Sequence, residues 1–342
     1  MVSMDVRPQA NAEPVRGDVV RVRSRAEILA TLDAKGSLDA MPFMPEMLKF
    51  AGQELTVSAR ADKTCDTITY RGNRRLEKTV HLVGARCDGS AHDGCQASCL
   101  LFFRQEWLEW PDRPGMPIAP PATPPRDVAS EATLDAHTRV TSDAGETLYR
   151  CQATELLDAS SPLPYRELTQ YVRDVRTGNV SMWRVITTVV FIIFNKYQRD
   201  IGARLPRWLQ IRGGRQYPDI RGTGTGERTP VHGLQVGDLV EVRSRDEIMA
   251  TLGPDNANRR LVFDAELLPY CGKRFRVQRL VKRIVDDRTS KMIKLSDCVV
   301  LEDVVCLGIY HRFCPRATTP YWREAWLRRI DDDKATTAPA GD

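Results

Sequence analysis

The order of apolar and polar residues predicts a strand and a short helix near the start of the chain. Residues 18–24, "DVVRVRS", alternate between apolar and polar side chains, as a strand with one buried face does. The next residues, "RAEILATL", have apolar positions at helical spacing. Ser24 precedes them and Glu27 stands three residues later, so the pair predicts a capping box at the first helical turn.

Further alternating segments predict two small β-barrels. Short strands are predicted in "QELTVSA", "KTVHLVG" and "EWLEW" of the first part of the chain, and in "KRFRVQRLV", "SDCVVLEDVVC" and "AWLRRI" of the last part. Several short strands with turns between them favour a barrel, and the opening pattern G-D-x-V-x-V is typical of SH3-like barrels.

The two predicted barrels are related by an internal repeat. The segments 17–32 and 237–252 are identical at 12 of 16 positions, with a constant offset of 220 residues. The offset holds through Glu46 and Glu266 and becomes 219 after one deletion. Self-similarity of this kind indicates two copies of one structural unit. The sequence therefore predicts an α+β protein in which two SH3-like modules, related by duplication, flank a different middle segment.

Composition divides the chain into five parts. Residues 14–110 form module one and residues 232–331 form module two. Residues 111–126 contain seven prolines and predict an extended linker. Residues 127–211 predict a mostly helical middle segment, with helices in "ETLYRCQATELL", in "PYRELTQYVRDVR", and after a cap at Asn179 or Ser181. Residues 212–231 are rich in glycine and arginine and predict a loop.

The longest apolar run is "VITTVVFIIF", residues 185–194. A helix that spans a membrane needs about 20 apolar residues, so this run is too short. We expect a buried helix there, with a helix at a membrane interface or against a partner as the alternative.

Composition and charge are those of an ordinary globular protein. Hydrophobic residues make up 42% of the chain and the net charge is +5, which permits nucleic-acid partners without requiring them. The first eighteen residues lack the apolar stretch of a secretory signal, so we expect a cytoplasmic protein. In a reducing compartment, clustered cysteines are more often metal ligands than disulfides.

Cysteine and histidine cluster in module one. The candidates there are Cys65, Cys87, His92, Cys95 and Cys99, and the last four lie in a loop that also contains Gly89 and Gly94. Thiolate and imidazole are the ligands that zinc prefers, and thiolates also hold iron–sulfur clusters. The sequence predicts a zinc ion or an iron–sulfur cluster in this loop. Five candidates exceed the four positions of a closed site, so either His92 or Cys65 is spare.

Module two repeats part of this set. Cys306, His311 and Cys314 have the spacing of Cys87, His92 and Cys95, but Thr318 stands where module one has Cys99. A fourth ligand could come from Cys298, Cys271 or Cys151, and Cys151 of the middle segment is the preferred candidate. The alternatives are an open coordination position or a module that has lost its metal.

A basic strand, together with the SH3-like barrels, indicates possible nucleic-acid binding. Arg274, Arg276, Arg279, Lys282 and Arg283 partly alternate along a predicted strand of module two. Such a face could contact phosphates, although a solvated strand face is the preferred interpretation.

Several motifs resemble those of a bacterial family of little-characterised cytosolic proteins. They are "VRSRAEILATLD", "PFMPEML", "KTCDT", "RCDGSAHDGCQASCLLF" and, in the second half, "FDAELLPYCGKRFRV" and "FCPRATTPYWREAWL". The resemblance covers nearly the whole chain apart from the linkers and termini. It implies a bacterial intracellular protein with cysteine ligands.

Three functions are therefore open from the sequence. The first is a metal- or cluster-binding accessory or scaffold protein of a bacterial biosynthetic pathway, with an unidentified protein or small-molecule partner. The second is a metalloenzyme whose ion keeps an open position at Cys306, His311 and Cys314. The third is a nucleic-acid-binding protein that uses its SH3-like barrels.

Overall fold

The computed structural model describes residues 13–120, 129–227 and 233–330. The chain divides into two compact units. The first contains the described part of Met1–Asn179, together with Val285–Met292 and Cys314–Arg316. The second contains the described part of Val180–Ile284, Ile293–Phe313 and Ala317–Asp342.

The first unit is built on a five-stranded antiparallel sheet with the strand order β8-β7-β4-β1-β9. Its strands are β1 (Val19–Val22), β4 (Glu54–Arg60), β7 (Thr79–Leu82), β8 (Phe103–Arg104) and β9 (Leu108–Glu109). Between them lie helix α1 (Arg25–Leu29), the hairpin of β2 (Ser37–Leu38) and β3 (Met41–Pro42), and the 3₁₀ helices Pro45–Phe50, Ser90–His92 and Gln105–Trp107. Helix α1 begins with the predicted capping box, because Ser24 and Glu27 bond each other's backbone amides. The core contains Val20, Ile28, Phe43 and Trp107.

Additional elements of the first unit come from the middle of the chain. They are β5 (Lys63–Cys65), β6 (Asn73–Arg75), α2 (Glu131–Ala136), β10 (Arg139–Thr141), β11 (Thr147–Tyr149), β12 (Ser161–Leu163) and α3 (Thr169–Arg176). Strand β12 pairs with β6, which pairs with β5, in a separate three-stranded sheet. The predicted helix in residues 146–157 is wrong, since β11 and a series of turns occupy this stretch.

The second unit contains the 19-residue helix α4 (Met182–Asp200), whose cap is Ser181. Its five-stranded sheet has the order β18-β17-β16-β13-β19. The strands of this sheet are β13 (Leu239–Val242), β16 (Arg274–Val285), β17 (Met292–Leu301), β18 (Trp322–Arg323) and β19 (Leu327–Arg329). The other elements are helix α5 (Arg245–Met249) and the hairpin of β14 (Ala257–Asn258) and β15 (Leu261–Val262). The 3₁₀ helices are Gly202–Arg204, Arg207–Leu209, Ile211–Gly214, Ala265–Tyr270 and Glu324–Trp326. The core of this unit contains Val240, Ile248, Phe263 and Trp326.

Neither five-stranded sheet closes into a barrel in the described residues. The end strands β8 and β9, of two residues each, are joined by the 3₁₀ helix Gln105–Trp107 and are not hydrogen-bonded neighbours. The α+β class is confirmed, but the predicted closure of each sheet into a small barrel is not found. Elements nevertheless recur at the predicted offsets: β13 follows β1 by 220 residues, and β18 follows β8 by 219.

The predicted linkers are described in part. In residues 111–120, turns are followed by a bridge between Pro117 and Glu109, while residues 121–126 lie outside the described residues. In the glycine-rich loop, Thr223 N–H donates to the Met249 carbonyl and Gly224 N–H donates to the Leu252 carbonyl. The backbone of this loop is thus bonded to the turn that follows α5. Residues 228–231 of the loop lie outside the described residues.

The predicted burial of the apolar run is wrong. In α4 only Gln198 is buried, and most apolar side chains of residues 185–194 are exposed or half-buried. No helix in the described part of the chain has the length and apolar character needed to cross a membrane.

Candidate metal centres

The first candidate centre combines Glu46, Cys87 and His92, whose ligand atoms all lie within 4.8 Å of one another. The Cys87 thiol donates to Glu46 Oε1 at 3.0 Å. His92 Nδ1 lies 3.9 Å from the same oxygen. Carboxylate, thiolate and imidazole can all bind zinc, so the three side chains offer a mixed set of oxygen, sulfur and nitrogen ligand atoms.

Local structure directs these side chains toward one point. Glu46 lies in the 3₁₀ helix Pro45–Phe50, while His92 ends the short 3₁₀ helix Ser90–His92. Gly89 has a φ of +75°, and a Cβ atom there would lie 2.0 Å from the Cys95 carbonyl oxygen. Only glycine combines this left-handed conformation with so close an approach of backbone to backbone. The glycine thereby folds the loop between Cys87 and His92 back on itself.

The orientation of His92 leaves Nδ1 facing the cluster. Its Nε2 lies 3.3 Å from the backbone carbonyl oxygen of Arg150. A proton on Nε2 satisfies this hydrogen bond and leaves a lone pair on Nδ1. Metal-binding histidines are commonly fixed by a second hydrogen bond of this kind.

The second candidate centre combines Glu266, Cys306 and His311, again with ligand atoms within 4.8 Å of one another. These residues follow Glu46, Cys87 and His92 by 220, 219 and 219 positions. Cys306 Sγ lies 3.7 Å from His311 Nδ1. His311 Nε2 lies 3.1 Å from Asp264 Oδ2. As in the first centre, Nδ1 faces the cluster, but here a carboxylate holds the other ring nitrogen.

Burial and neighbouring side chains shift the pKa values of the cysteines in both centres and of His311 in the second. Burial raises the pKa of the Cys87 thiol, and the neighbouring Glu46 carboxylate raises it further. Burial likewise raises the pKa of Cys306. Hydrogen bonds to Asp264 and then to Cys306 raise the pKa of His311 to about 11. Without a cation, the thiols therefore keep their protons at neutral pH.

A buried carboxylate oxygen in each centre has no hydrogen-bond partner in the described part of the chain. These atoms are Oε2 of Glu46 and Oε2 of Glu266. Both glutamates are buried, with relative exposures of 6% and 1%. A buried ionised group is costly unless it is paired or coordinates a metal. A cation held by each group of three would supply that partner.

The other predicted ligands lie outside both groups of three. Cys95 Sγ accepts a hydrogen bond from the Val285 amide at 3.2 Å. Cys99 and Cys151 line a cavity of about 30 Å³ in the first unit, beside Cys87. Burial raises the pKa of Cys99 to about 11 and that of Cys151 to about 12. The nine cysteines, all within the described residues, form no disulfide.

Cys314 and Cys65 lie together in the first unit. Cys314 Sγ accepts a hydrogen bond from the Cys65 amide at 3.0 Å. Hydrogen bonds from Cys65 lower the pKa of Cys314 to about 6 although the residue is buried, and the buried Arg316 contributes in the same direction. Glu266 rather than Cys314 therefore completes the group around Cys306 and His311, and Cys151 is not a member of that group.

Sequence reasoning missed the two glutamates as candidate ligands. Their match across the repeat was visible in the chain, but each lies in a helix-like segment, "PEML" or "AELL", that indicated only packing. A carboxylate that recurs with the cysteine and the histidine at the same offset was the available signal.

The basic residues of β16 lie mostly at the surface. Arg274, Arg276, Lys282 and Arg283 are exposed and Arg279 is half-buried. Arg274 pairs with Glu241 at 3.8 Å, and Arg276 donates to the Gly237 carbonyl oxygen at 2.9 Å. These contacts fit a solvated strand face.

Comparison with known proteins adds no relative: no family model matches the chain, and neither a curated protein nor a solved structure matches it significantly. The resemblance drawn from the motifs stays a prediction.

Proposed function

We propose that this chain is a zinc-binding protein with two like sites, each with three protein ligands and one position open to a further ligand. The observation that carries the proposal is the repeated triad, Glu46–Cys87–His92 and Glu266–Cys306–His311. One accidental cluster of polar side chains is common. Two clusters of the same residues at equivalent positions, each with a buried unpartnered carboxylate oxygen, are better explained by a retained function.

The donor atoms favour zinc over an iron–sulfur cluster. Each triad offers one sulfur, one nitrogen and one oxygen, a mixture that zinc accepts at about 2.0–2.3 Å. An iron–sulfur cluster is usually held by four cysteine thiolates, and each triad contains a single cysteine. In this proposal Glu46, Cys87 and His92 hold one ion, and Glu266, Cys306 and His311 hold the other.

Three protein ligands leave a coordination position for water, a small molecule or a partner's side chain. Bound zinc would supply Lewis acidity at that position. The chain's own contribution is orientation, since the Arg150 carbonyl and the Asp264 carboxylate fix the two histidine rings. An open coordination position and fixed histidine rings are what an accessory protein needs to present a metal-bound ligand to a partner.

A metalloenzyme is the second candidate, favoured by the exposure of the second centre. The His311 side chain is 35% exposed, whereas that of His92 is 2% exposed. A substrate could therefore reach an ion beside His311 without opening the core. The first centre is more deeply buried, so a substrate would reach its remaining position less readily.

We also propose that the two modules arose by duplication of one SH3-like unit. Support comes from the common strand order of the two five-stranded sheets and from the repeated triads. The paired 3₁₀ helices Gln105–Trp107 and Glu324–Trp326 stand at the same place in each sheet order.

The test is the metal content of the full chain, purified without added chelator and measured by elemental analysis. We expect about two zinc ions per chain, and about one in each of Cys87→Ser and Cys306→Ser. The matched controls are Cys95→Ser, in the same loop as Cys87, and Cys271→Ser, in the same unit as Cys306. Both controls should keep two ions.

Equal zinc content in all four variants would exclude the triads as ligands. Loss of zinc in both Cys87→Ser and Cys95→Ser would instead favour the site predicted from the sequence, in which Cys87, Cys95 and Cys99 are ligands. If the protein contained iron and acid-labile sulfide and absorbed visible light, it would bind an iron–sulfur cluster instead of zinc.

A further inference from the structure

Helix α4 of the second unit presents an apolar face to solvent. Trp183, Ile186, Val190 and Ile193 are spaced by three, four and three residues, so they lie along one face of the helix. Their relative exposures are 72%, 47%, 56% and 63%. Met182, Val189 and Ile192, exposed by 58%, 46% and 59%, widen this surface. An exposed apolar area of this kind marks an interaction site.

The opposite face of the helix is the one that the second unit holds. Phe191 stacks on Tyr217 with ring centroids 4.7 Å apart. Asn195 Oδ1 accepts from the Tyr217 amide at 2.6 Å, and Gln198 Nε2 donates to the Arg215 carbonyl oxygen at 3.0 Å. An amphipathic helix of a globular protein normally turns its apolar face inward. Here Phe191 and the two amides face the protein, and the other apolar side chains named above face out.

The helix and the segment that holds it are strongly basic. Residues 182–215 contain seven basic side chains and one acidic one, a net charge of +6 from +7 and −1. The basic residues are Arg184, Lys196, Arg199, Arg204, Arg207, Arg212 and Arg215, and the acidic one is Asp200. Trp208 lies in the same segment and is 82% exposed. Trp107, Trp322 and Trp326 are by contrast fully buried.

We propose that α4 and the segment to Arg215, together called the basic apolar surface, dock onto the surface of an anionic phospholipid bilayer. Apolar side chains enter the boundary between headgroups and acyl chains, and basic side chains attract anionic lipids. Tryptophan is enriched at this depth because its ring is amphipathic. The inference is independent of the proposed zinc sites, since none of the triad residues belongs to this surface.

The charge also distinguishes lipid from two other occupants. A second copy of the chain would bring one surface of net charge +6 against another, and like charges across an interface are unfavourable. A nucleic acid would match the charge, but its phosphate backbone would leave the apolar stripe unsatisfied. An anionic bilayer matches both the apolar stripe and the basic residues.

The test is cosedimentation of the full chain with vesicles. One set is phosphatidylcholine alone, and the other replaces a quarter of it with phosphatidylglycerol. We expect binding to the anionic vesicles that weakens as salt is raised, and at least tenfold weaker binding to the neutral ones. Ile186→Asn/Ile193→Asn should abolish binding, while the matched control Val236→Asn, also a 63% exposed aliphatic residue of the second unit, should not.

The charge contribution is tested by Arg204→Gln/Arg207→Gln/Arg212→Gln, which should weaken anionic binding about a hundredfold. Arg274→Gln/Lys282→Gln/Arg283→Gln removes the same charge from the exposed strand and should change binding little. Far-UV circular dichroism checks that each variant is folded; all substituted side chains are exposed.

No binding to either vesicle, or equal binding to both, overturns the proposal. So does self-association that Ile186→Asn/Ile193→Asn abolishes in the absence of lipid, since a second copy would then cover the surface.

Discussion

The thiol of Cys87 donates a hydrogen bond to Glu46 Oε1 across 3.0 Å, although 41 residues separate them along the chain. The Glu46 side chain has no exposed surface, and its Oε2 has no hydrogen-bond partner in the described residues. A metal ion that replaced the thiol proton would join both side chains and give the carboxylate its missing counter-charge.

The first prediction follows from this unpaired carboxylate. Glu46→Gln keeps the shape of the side chain and the acceptor for the Cys87 thiol, so the stability of the zinc-free protein should change by no more than about 1 kcal/mol. The same change removes an anionic ligand, and zinc content should fall from two ions to one. Urea unfolding in the presence of chelator, and zinc titration of the stripped protein, measure the two effects.

The control for Glu46→Gln is Glu106→Gln. Glu106 is also buried, with an unpartnered Oε2, but it lies outside both metal groups. Its replacement should change stability without changing zinc content. Two zinc ions bound with unaltered affinity by Glu46→Gln would show that Glu46 is not a ligand.

The second prediction compares two glycines of the first unit that have the same backbone conformation. Gly89 has a φ of +75° and Gly84 has a φ of +74°. A Cβ atom at Gly89 would lie 2.0 Å from the Cys95 carbonyl oxygen, whereas a Cβ atom at Gly84 would meet nothing within 4 Å. Gly84→Ala should therefore cost only the left-handed strain, about 1 kcal/mol.

Gly89→Ala should cost several kcal/mol more than Gly84→Ala, because the backbone of the loop must move. It should also lower zinc content, since the moved loop contains Cys87 and His92. Denaturant unfolding and elemental analysis of both variants provide the check. Equal costs would mean that the loop yields freely and does not shape the centre.

Local patterns predicted local structure well. The alternation in residues 18–24 and the Ser24/Glu27 capping box are both present, because a strand face and a helix cap depend on neighbours within four residues. The predicted helix in residues 146–157 is wrong because its spacing did not reveal a tertiary partner. Tyr149 pairs with Arg139 in a hairpin, and its amide donates to the Ser290 carbonyl.

For the candidate centres, too, the sequence predicted local proximity but not tertiary contacts. Spacing brought Cys87 and His92 into one loop, and both belong to the first triad. Spacing could not show that Cys95, three residues after His92, turns its sulfur toward the Val285 amide instead. Nor could it bring Glu46 to Cys87, since that contact depends on how the 3₁₀ helix Pro45–Phe50 packs on the loop. For α4 the sequence favoured burial and left an interfacial or partner-binding helix as the alternative, because periodicity identifies a face without showing what covers it.

The third prediction concerns a hydrogen bond that occurs once in each unit. Trp107 Nε1 donates to Thr31 Oγ1 at 3.0 Å, and Trp326 Nε1 donates to Thr251 Oγ1 at 3.0 Å. Thr31→Val removes the acceptor of a buried N–H group and should destabilise the protein by about 1–3 kcal/mol. Thr31→Ser keeps the hydroxyl and should cost less. Denaturant unfolding that ranks the two variants equally would show that Trp107 does not depend on this bond.

The last prediction is a pH dependence that originates at His81. This residue is fully buried; its Nδ1 lies 2.9 Å from the Leu101 carbonyl oxygen, and Nε2 has no partner among the described residues. Burial lowers the pKa of His81 from 6.5 to about 4. Between pH 6.5 and pH 4 the unfolded chain therefore takes up a proton that the folded protein refuses, and stability falls as the pH falls.

A difference of this size in pKa corresponds to a loss of about 3 kcal/mol in the free energy of unfolding, and this loss is complete by about pH 4. His81→Val introduces the residue found at the equivalent position of module two, Val300, and cannot titrate. His81→Asn cannot titrate either but can still donate to the Leu101 carbonyl. Urea unfolding at pH 7, 6, 5 and 4 should show a shallower loss of stability in both variants than in the parent protein, whatever their stability at pH 7. Parallel pH profiles for all three proteins would mean that His81 accepts its proton in the folded state and that the buried site is open to water.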